Sequence, residues 1–529
     1  MSSEYYRLLI LYSTGLTITI LLVFLTYFIS NKFDLIVNKK NSYFIFFFSL
    51  SFYIFSILYL TFGKINALHH YADFATHLEL LWKNYQGLGL TTLISEDQHG
   101  GSHWFSAHFT PIIYITYVPA FSIFQSPYVL PVSQTFFILS SLIPLWLISR
   151  KYLNGNLSRL YISCFLFYPT IFYMNLYSIA YLEISIPLLL WVFYFLERKN
   201  NLLFFIFLIL SLMTREEISF IACFVGIYIL FKKRYVLGLS TIFLSIIYFY
   251  LVMFIIMPSY RVDNLNEHVS FVQFLKVWGV DTFSEMIKII YYDPINFLKT
   301  IFTPYKIGNY VILLMPLLFL SLFSFLRFLI ALPTIAIGLL SWAKTHSSYM
   351  FYYVSPIVAI FFYSAIFGIK KVCQYKVINQ NALVNTVLIA SISMSIFFGA
   401  SPLSIAFWNK DYKVGSFYTT DFHRSIYVVT DKHIVTKKIV KFIPRNSVVS
   451  AEQHFLPLLY KHKKIKIFPT TEEDIEYVLI DRYNPKKSGG SSENTMRTNP
   501  EAEYHKYFEN DNWKIIKQEL GITLFKRVD

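Results

Sequence analysis

The sequence predicts a mainly α-helical fold, a polytopic membrane bundle of about twelve segments that carries a small C-terminal α/β domain outside the bilayer. Three observations predict it. Of the 529 residues, 55% are hydrophobic and only 15% charged, against roughly 25% charged in soluble domains. Apolar runs near twenty residues, the length that crosses a bilayer, recur from residue 8 to residue 407 and then cease. The formal charge of +15 comes in short Lys/Arg clusters between those runs. That is the positive-inside pattern, so the charge reports topology and argues against a nucleic-acid partner.

Taken in order, Leu8–Ile29 and Tyr43–Phe62 read as the first two spans, joined by a linker with Lys32, Lys39 and Lys40. The first lacks a small-residue cleavage site and reads as a retained span. Placing the linker inside sends the following loop outside. Pro127–Ile148 returns to Arg150, Lys151 and Arg159, and the pair Leu160–Met174 and Tyr177–Leu196 returns to Arg198 and Lys199. Leu202–Met213 and Ile218–Phe231 are short for spans. They read as a helical hairpin with Arg215, Glu216 and Glu217 at its tip, returning to Lys232, Lys233 and Arg234. Tyr235–Met257 crosses outward, and an outer stretch over Pro258–Lys306 carries Trp278 and amphipathic segments suited to the interface. Val311–Leu326 and Phe328–Leu340 cross around Arg327, Tyr349–Ile369 ends at Lys370 and Lys371, and Leu383–Phe407 crosses last. Cys164, Cys223 and Cys373 all lie in apolar segments without metal-ligand spacing, which suits packing rather than a disulfide framework.

Beyond Asn409 the composition turns polar, which divides the chain into a membrane domain, 1–408, with an outer loop at 64–126, and an extracytoplasmic domain, 409–529. Ser447–Ala451, Tyr477–Asp481 and Gly521–Val528 read as strands, and Asp431–Phe442 and Pro500–Asn510 as helices. The stretch NPKKSGGSSENTMRTNP between them is a polar loop.

The stretch from Ala72 to Pro111 collects Asp, Glu, His and Trp residues that are scarce elsewhere in the apolar part. A polar loop of this length between spans is commonly functional. Under the positive-inside assignment Asp73, His77, Glu79, His108, Arg215, Glu216, Glu217 and His346 all fall on one face. Each has a plainer reading. Asp73 suits the first turn of a helix, where a carboxylate is favoured. His108 fits an interfacial histidine beside Trp104, Arg215–Glu217 a solvated turn, and His346 a loop residue. Their shared side is what recommends them, because ionisable groups at membrane depth are costly and mark sites. Glu183, in an otherwise apolar run, is a further candidate.

In order, the segments ADFATHLELLW, SAHFTP, SIPLLLWVFYFLER, TREEISF and THSSYMFYYVSPIVAIFF resemble the family of predicted membrane proteins called domain of unknown function 2079. That family in turn resembles the GT-C superfamily of membrane glycosyltransferases. The resemblance extends from about Ile65 to Gly368, with a tail of similar style. It matches the family's aspartate to Asp73, its His-Phe-x-Pro histidine to His108, its basic-acidic-acidic tip to Arg215, Glu216 and Glu217, and its late histidine–tyrosine pair to His346 and Tyr349. This chain departs from the pattern at Glu79, where Gln is usual, and at Ser178-Ile179-Ala180, where an Asp-Phe-His often stands.

The resemblance implies a GT-C-like fold in the inner membrane of a bacterium. It implies transfer of a sugar from a polyprenyl-phosphate donor to a saccharide, lipid or protein acceptor on the outer face. Asp73, Glu79 and His108 become candidates for catalysis, with Arg215, Glu216, Glu217, His346 and Tyr349 for substrate binding. Asp73 is also a candidate ligand for a divalent cation, Mg or Mn, since hard cations favour carboxylates. The competing class is a lipid-linked saccharide flippase or transporter. That class calls for charges and broken helices at the bilayer midplane, where this sequence has little charge beyond Glu183.

Overall fold

The computed structural model describes residues 3–528 except 33–36, 71, 95–100, 178, 262–282, 342, 375–377, 411, 413–421, 471–473 and 482–506. Seven described helices are long and apolar enough to cross a membrane: Ser13–Lys32, Lys39–Asn66, Val129–Ser149, Tyr235–Ser259, Leu320–Leu340, Tyr352–Cys373 and Gln380–Phe398. The other segments read as spans are shorter helices, namely Gly155–Leu166 with Pro169–Tyr177, Ser185–Glu197, the hairpin pair Asn201–Leu212 and Ile218–Phe231, and Pro304–Leu314. Trp278 lies outside the described residues. The helices Phe283–Tyr292 and Pro294–Ile301 are amphipathic and expose Ile287, Tyr291, Tyr292 and Ile295.

Burial sorts the helices. Tyr352–Cys373 runs through the centre, and from Ser355 to Ile369 every residue is buried; a helix apolar all round belongs inside. Lys39–Asn66 and Tyr235–Ser259 are peripheral, exposing Phe44, Phe55, Val236 and Phe243. Close approach depends on small residues where these helices meet: a Cβ on Gly226 would sit 2.9 Å from the Gly238 carbonyl oxygen and 2.6 Å from Ile242.

One boundary differs from the sequence expectation. The helix Pro304–Leu314 stops before Pro316, and Leu318 and Phe319 adopt left-handed backbone before Leu320–Leu340 begins. Proline cannot continue the ladder, so the chain turns there and not at Arg327. Arg327 instead pairs with Glu197 at 3.3 Å.

The basic clusters gather at one end. Arg159 donates to Ser42 at 2.9 Å, Arg234 to the Leu196 carbonyl at 3.3 Å, and Lys370 lies 5.2 Å from the Tyr152 ring centroid. At the opposite end sits a five-stranded sheet, ordered β2-β1-β3-β5-β4, with β1 Val448–Ala451, β2 Lys464–Ile467, β3 Tyr477–Asp481, β4 Trp513–Glu519 and β5 Ile522–Arg527. β1 pairs in parallel with β2 and β3, while β5 runs antiparallel to β3 and β4. The strands expected at 447–451, 477–481 and 521–528 are present with ends shifted by a residue or so. The first expected helix forms over Asp431–Ile439 and finishes in a 3-10 turn; the second falls mostly outside the described residues. The core of the sheet continues into the first large loop, where Leu68, Ala75 and Ile94 pack with Val449, Ile465 and Leu524. Polar ties fix the same contact: Lys437 to Asn66 at 3.0 Å and Tyr460 to the Gln125 carbonyl at 3.0 Å.

Candidate functional site

The helix Ala72–Tyr85 presents Asp73 in its first turn. From Phe74 to Leu81 this helix is buried throughout, because it lies between two layers. Ala75 meets the core of the sheet. Phe74, Leu78 and Leu81 meet Trp104, Ile112, Tyr117 and Tyr181. One turn on from Asp73, His77 sits edge-on to Trp104 and Tyr181, at 5.1 and 4.9 Å.

Glu79 points elsewhere. It is fully buried. One carboxylate oxygen accepts from the Thr92 hydroxyl at 2.7 Å and the Leu93 amide at 3.0 Å, and the other pairs with Lys83 at 2.8 Å. This carboxylate ties the following loop to the helix.

The chain returns through Trp104, whose indole N–H donates to Thr110 at 2.8 Å. His108 follows, and Pro111 opens a short 3-10 helix. The Ile112 amide donates to the Met213 carbonyl at 3.1 Å, which fastens this loop to the hairpin tip. Side chains then interlock across the junction. His108 Nδ1 lies 3.0 Å from Glu216 Oε1, and the Phe109 amide donates to Glu216 Oε2 at 3.1 Å. Arg215 Nη2 lies 2.8 Å from His108 Nε2. Because a guanidinium only donates, His108 Nε2 is the acceptor and its proton sits on Nδ1, facing Glu216. The ring is neutral and wedged between a cation and an anion.

Arg215 is buried, 3% exposed. Its guanidinium lies 5.2 Å from the Tyr353 ring and 5.7 Å from the Tyr352 ring. Its Nε approaches Glu216 and Glu217 at 3.9 and 3.8 Å, beyond hydrogen-bond reach, and makes no hydrogen bond. Buried donors are nearly always satisfied, so this one stands out. His346 closes another side, with Nδ1 2.5 Å from Ser341 Oγ and its ring 4.1 Å from Tyr353. The Tyr352 hydroxyl donates to that of Tyr353 at 3.1 Å, and Tyr352 stands within electrostatic reach of Asp73. The helix start thus joins the arginine cluster through a tyrosine pair. The Tyr349 amide donates to Asn309 at 3.1 Å and its ring packs on Tyr173. Tyr352 and Tyr353, which the sequence reading does not single out, stand beside Arg215.

Charge in this crevice is tightly set. Asp73 is solvent-accessible yet walled by protein, which pushes its carboxyl above the ordinary range. Burial pushes Glu217 up to about 7 against the pull of Arg215, with Glu216 adding to the rise. Burial alone would raise Glu216 too, but its hydrogen bond from His108 and the Arg215 charge outweigh it and keep the group ionised. Burial, then the nearby guanidinium, lowers His108 and brings His346 down to about 3. At neutral pH the site therefore holds a fixed cation, a fixed anion, two neutral imidazoles, Glu217 near its titration range and an Asp73 carboxyl raised by burial. Among the described residues no group of three or more His, Cys, Asp or Glu converges as a ligand set. Glu216 is already engaged, so a divalent ion at Asp73 would have to draw ligands from elsewhere.

These features define a helical membrane protein with a cluster of buried charged groups at the end that carries its small sheet. The chain belongs to the family of predicted membrane proteins known as DUF2079, whose family model matches residues 71–524. Among curated proteins none matches. Similar solved structures include ArnT from Cupriavidus metallidurans bound to undecaprenyl phosphate, 9% identical, covering 90% of this chain and 98% of that one with a TM-score of 0.49. Another is the Archaeoglobus fulgidus oligosaccharyltransferase tethered with an acceptor peptide, 11% identical, covering 83% of this chain and 69% of that one with a TM-score of 0.38.

Proposed function

We propose that this chain is a GT-C-type membrane glycosyltransferase that moves a sugar from a polyprenyl-phosphate donor to a saccharide, lipid or protein acceptor. In this reading the reaction takes place at the crevice end of the bundle, on the outer face of a bacterial inner membrane. The observation that carries it is the buried Arg215 with an unspent Nε–H, beside Tyr352, which also stands within electrostatic reach of Asp73 and its raised carboxyl. A guanidinium in that state suits a phosphate oxygen, which it can take by charge-assisted hydrogen bonds.

The acceptor hydroxyl attacks the anomeric carbon as the bond from that carbon to the lipid-phosphate oxygen breaks. The electron pair leaves on the phosphate, where Arg215 stabilises it. The hydroxyl proton passes to Asp73, whose raised carboxyl makes it a better base near neutral pH than an ordinary aspartate. Attack opposite the leaving phosphate inverts the anomeric centre. His108 and Glu216 hold the guanidinium in place, Tyr352 and Tyr353 flank it, and Glu79 ties Thr92 and Leu93 to the helix that carries Asp73. Tyr349 anchors the segment that carries those tyrosines. No step is assigned to a divalent cation. The domain at 409–529 covers the crevice end and is proposed to receive the acceptor.

The test is transfer from a lipid-linked sugar by purified full-length protein. Asp73→Asn is expected to lower turnover by roughly 10²–10⁴-fold while donor binding persists. Capping should survive the change, at a cost of a few tenths of a kcal/mol in dipole interaction. Unchanged turnover in Asp73→Asn would refute the assignment of the base.

A further inference from the structure

At the end of the bundle away from the crevice, a cavity of about 290 Å³ opens between the ends of Val129–Ser149 and Ser185–Glu197. Arg150, Lys151 and Arg198 stand exposed around it, with Leu147 and Tyr194 as an apolar wall. Lys370 adds a further positive charge beside Tyr152. The acid in this lining, Glu197, is already engaged. It accepts from the Tyr152 and Tyr363 hydroxyls at 3.0 and 2.7 Å and pairs with Arg327 at 3.3 Å. No carboxylate among the described residues pairs with Arg150, Lys151 or Arg198. The cavity is cationic in balance.

We infer that this cavity binds the phosphate head group of an anionic membrane phospholipid. Two features favour a lipid over free phosphate. The apolar wall continues along the outside of the same helix through the exposed Ile143 and Phe136, a path for an acyl chain. The cluster also lies at the end of a helix long and apolar enough to cross a membrane, and basic pockets between membrane helices suit lipid head groups. Arginine forks add directed donors to the attraction. The inference is independent of the proposed transferase activity.

Native mass spectrometry of the full-length protein tests it, with phosphatidylglycerol and phosphatidylcholine offered in equal amount. The wild type should retain phosphatidylglycerol preferentially. Each basic residue near an anionic surface contributes about fivefold, so Arg150→Gln/Lys151→Gln/Arg198→Gln should weaken retention on the order of a hundredfold. The charge-preserving Arg150→Lys/Arg198→Lys should keep most of it. If the triple variant fails to fold, Arg150→Gln/Arg198→Gln serves instead, with a loss of roughly twentyfold expected. Equal retention of the two lipids, or full retention of phosphatidylglycerol by the folded Gln variants, would overturn the inference. Stabilisation by inorganic phosphate as large as that by phosphatidylglycerol would also overturn it, in favour of a soluble anion.

Discussion

Glu217→Gln isolates the electrostatics of the crevice. The Glu217 carboxyl moves from 4.5 in the unfolded chain to about 7 in the fold, chiefly through burial. A carboxyl whose folded value is raised binds its proton more tightly in the folded state. Its ionisation therefore costs stability as the pH climbs from the unfolded value to the folded one, and the cost is complete above about 7. At 1.36 kcal/mol for each pH unit, the full penalty is about 3 kcal/mol. Its carboxylate side chain is 19% exposed, so solvent screening leaves that figure as a ceiling. Glutamine has the same shape and carries no charge. The variant should match the wild type near pH 4.5 and exceed it in stability at about pH 8. Thermal unfolding in detergent across that range, at one scan rate because such unfolding is commonly irreversible, measures the difference. A stability gap of equal size at both pH values would refute the reasoning, since it would mean that Glu217 ionises normally in a hydrated crevice.

Three further outcomes are expected. Arg215→Lys keeps the charge but loses the fork, and should weaken binding of polyprenyl phosphate by roughly 10–100-fold, the worth of a charged hydrogen bond, as measured by ligand-dependent thermal shift. Glu79→Gln should lower stability by about 1–3 kcal/mol, because Lys83 is left buried without its partner, while the donor KM of the folded fraction stays unchanged. A cysteine placed in the linker at residues 30–41 should resist impermeant thiol reagents in intact cells while one at Gly489 reacts; labelling of the linker alone would reverse the proposed orientation.

How far the sequence reaches depends on which signal each element carries. The apolar runs marked the spans because their length is set by the bilayer. The tip Arg215–Glu217 and His108 fall on one side by Lys/Arg bias alone, without reference to any contact between them. Glu79 shows where that reasoning stops. Side alone cannot tell a crevice carboxylate from one that staples a loop, although helical spacing offered a clue: His77 shares a face with Asp73 at i+4, and Glu79 does not. Residues 341–354 follow no helical or strand period, so no pattern says which tyrosine of YMFYY stands beside Arg215. β2, KIKI, pairs in the sheet with Lys466 buried, against the usual expectation for a lysine. Pro316 marks the break before Leu318 in the sequence, whereas the charge of Arg327 points to a turn eleven residues later.

The two ends of the bundle use the same side-chain types to opposite effect. At the basic end, Glu197 meets two tyrosine hydroxyls and Arg327, and the buried charges close on one another. Such a network fixes the packing of neighbouring helices and leaves Glu197 and Arg327 themselves satisfied. At the crevice end, Arg215 also lies among acids and tyrosines, yet its Nε–H is left without an acceptor, and Glu217 stands 3.8 Å off. Completing that arrangement would need only a shift of well under an ångström at the Glu217 side chain. That the chain holds a buried guanidinium open beside a carboxyl raised to about 7 is a cost in stability, and proteins concentrate such costs at functional sites. An incoming phosphate would supply the missing acceptor and, by neutralising Arg215, would raise Glu217 further, so that donor binding and protonation of Glu217 reinforce each other.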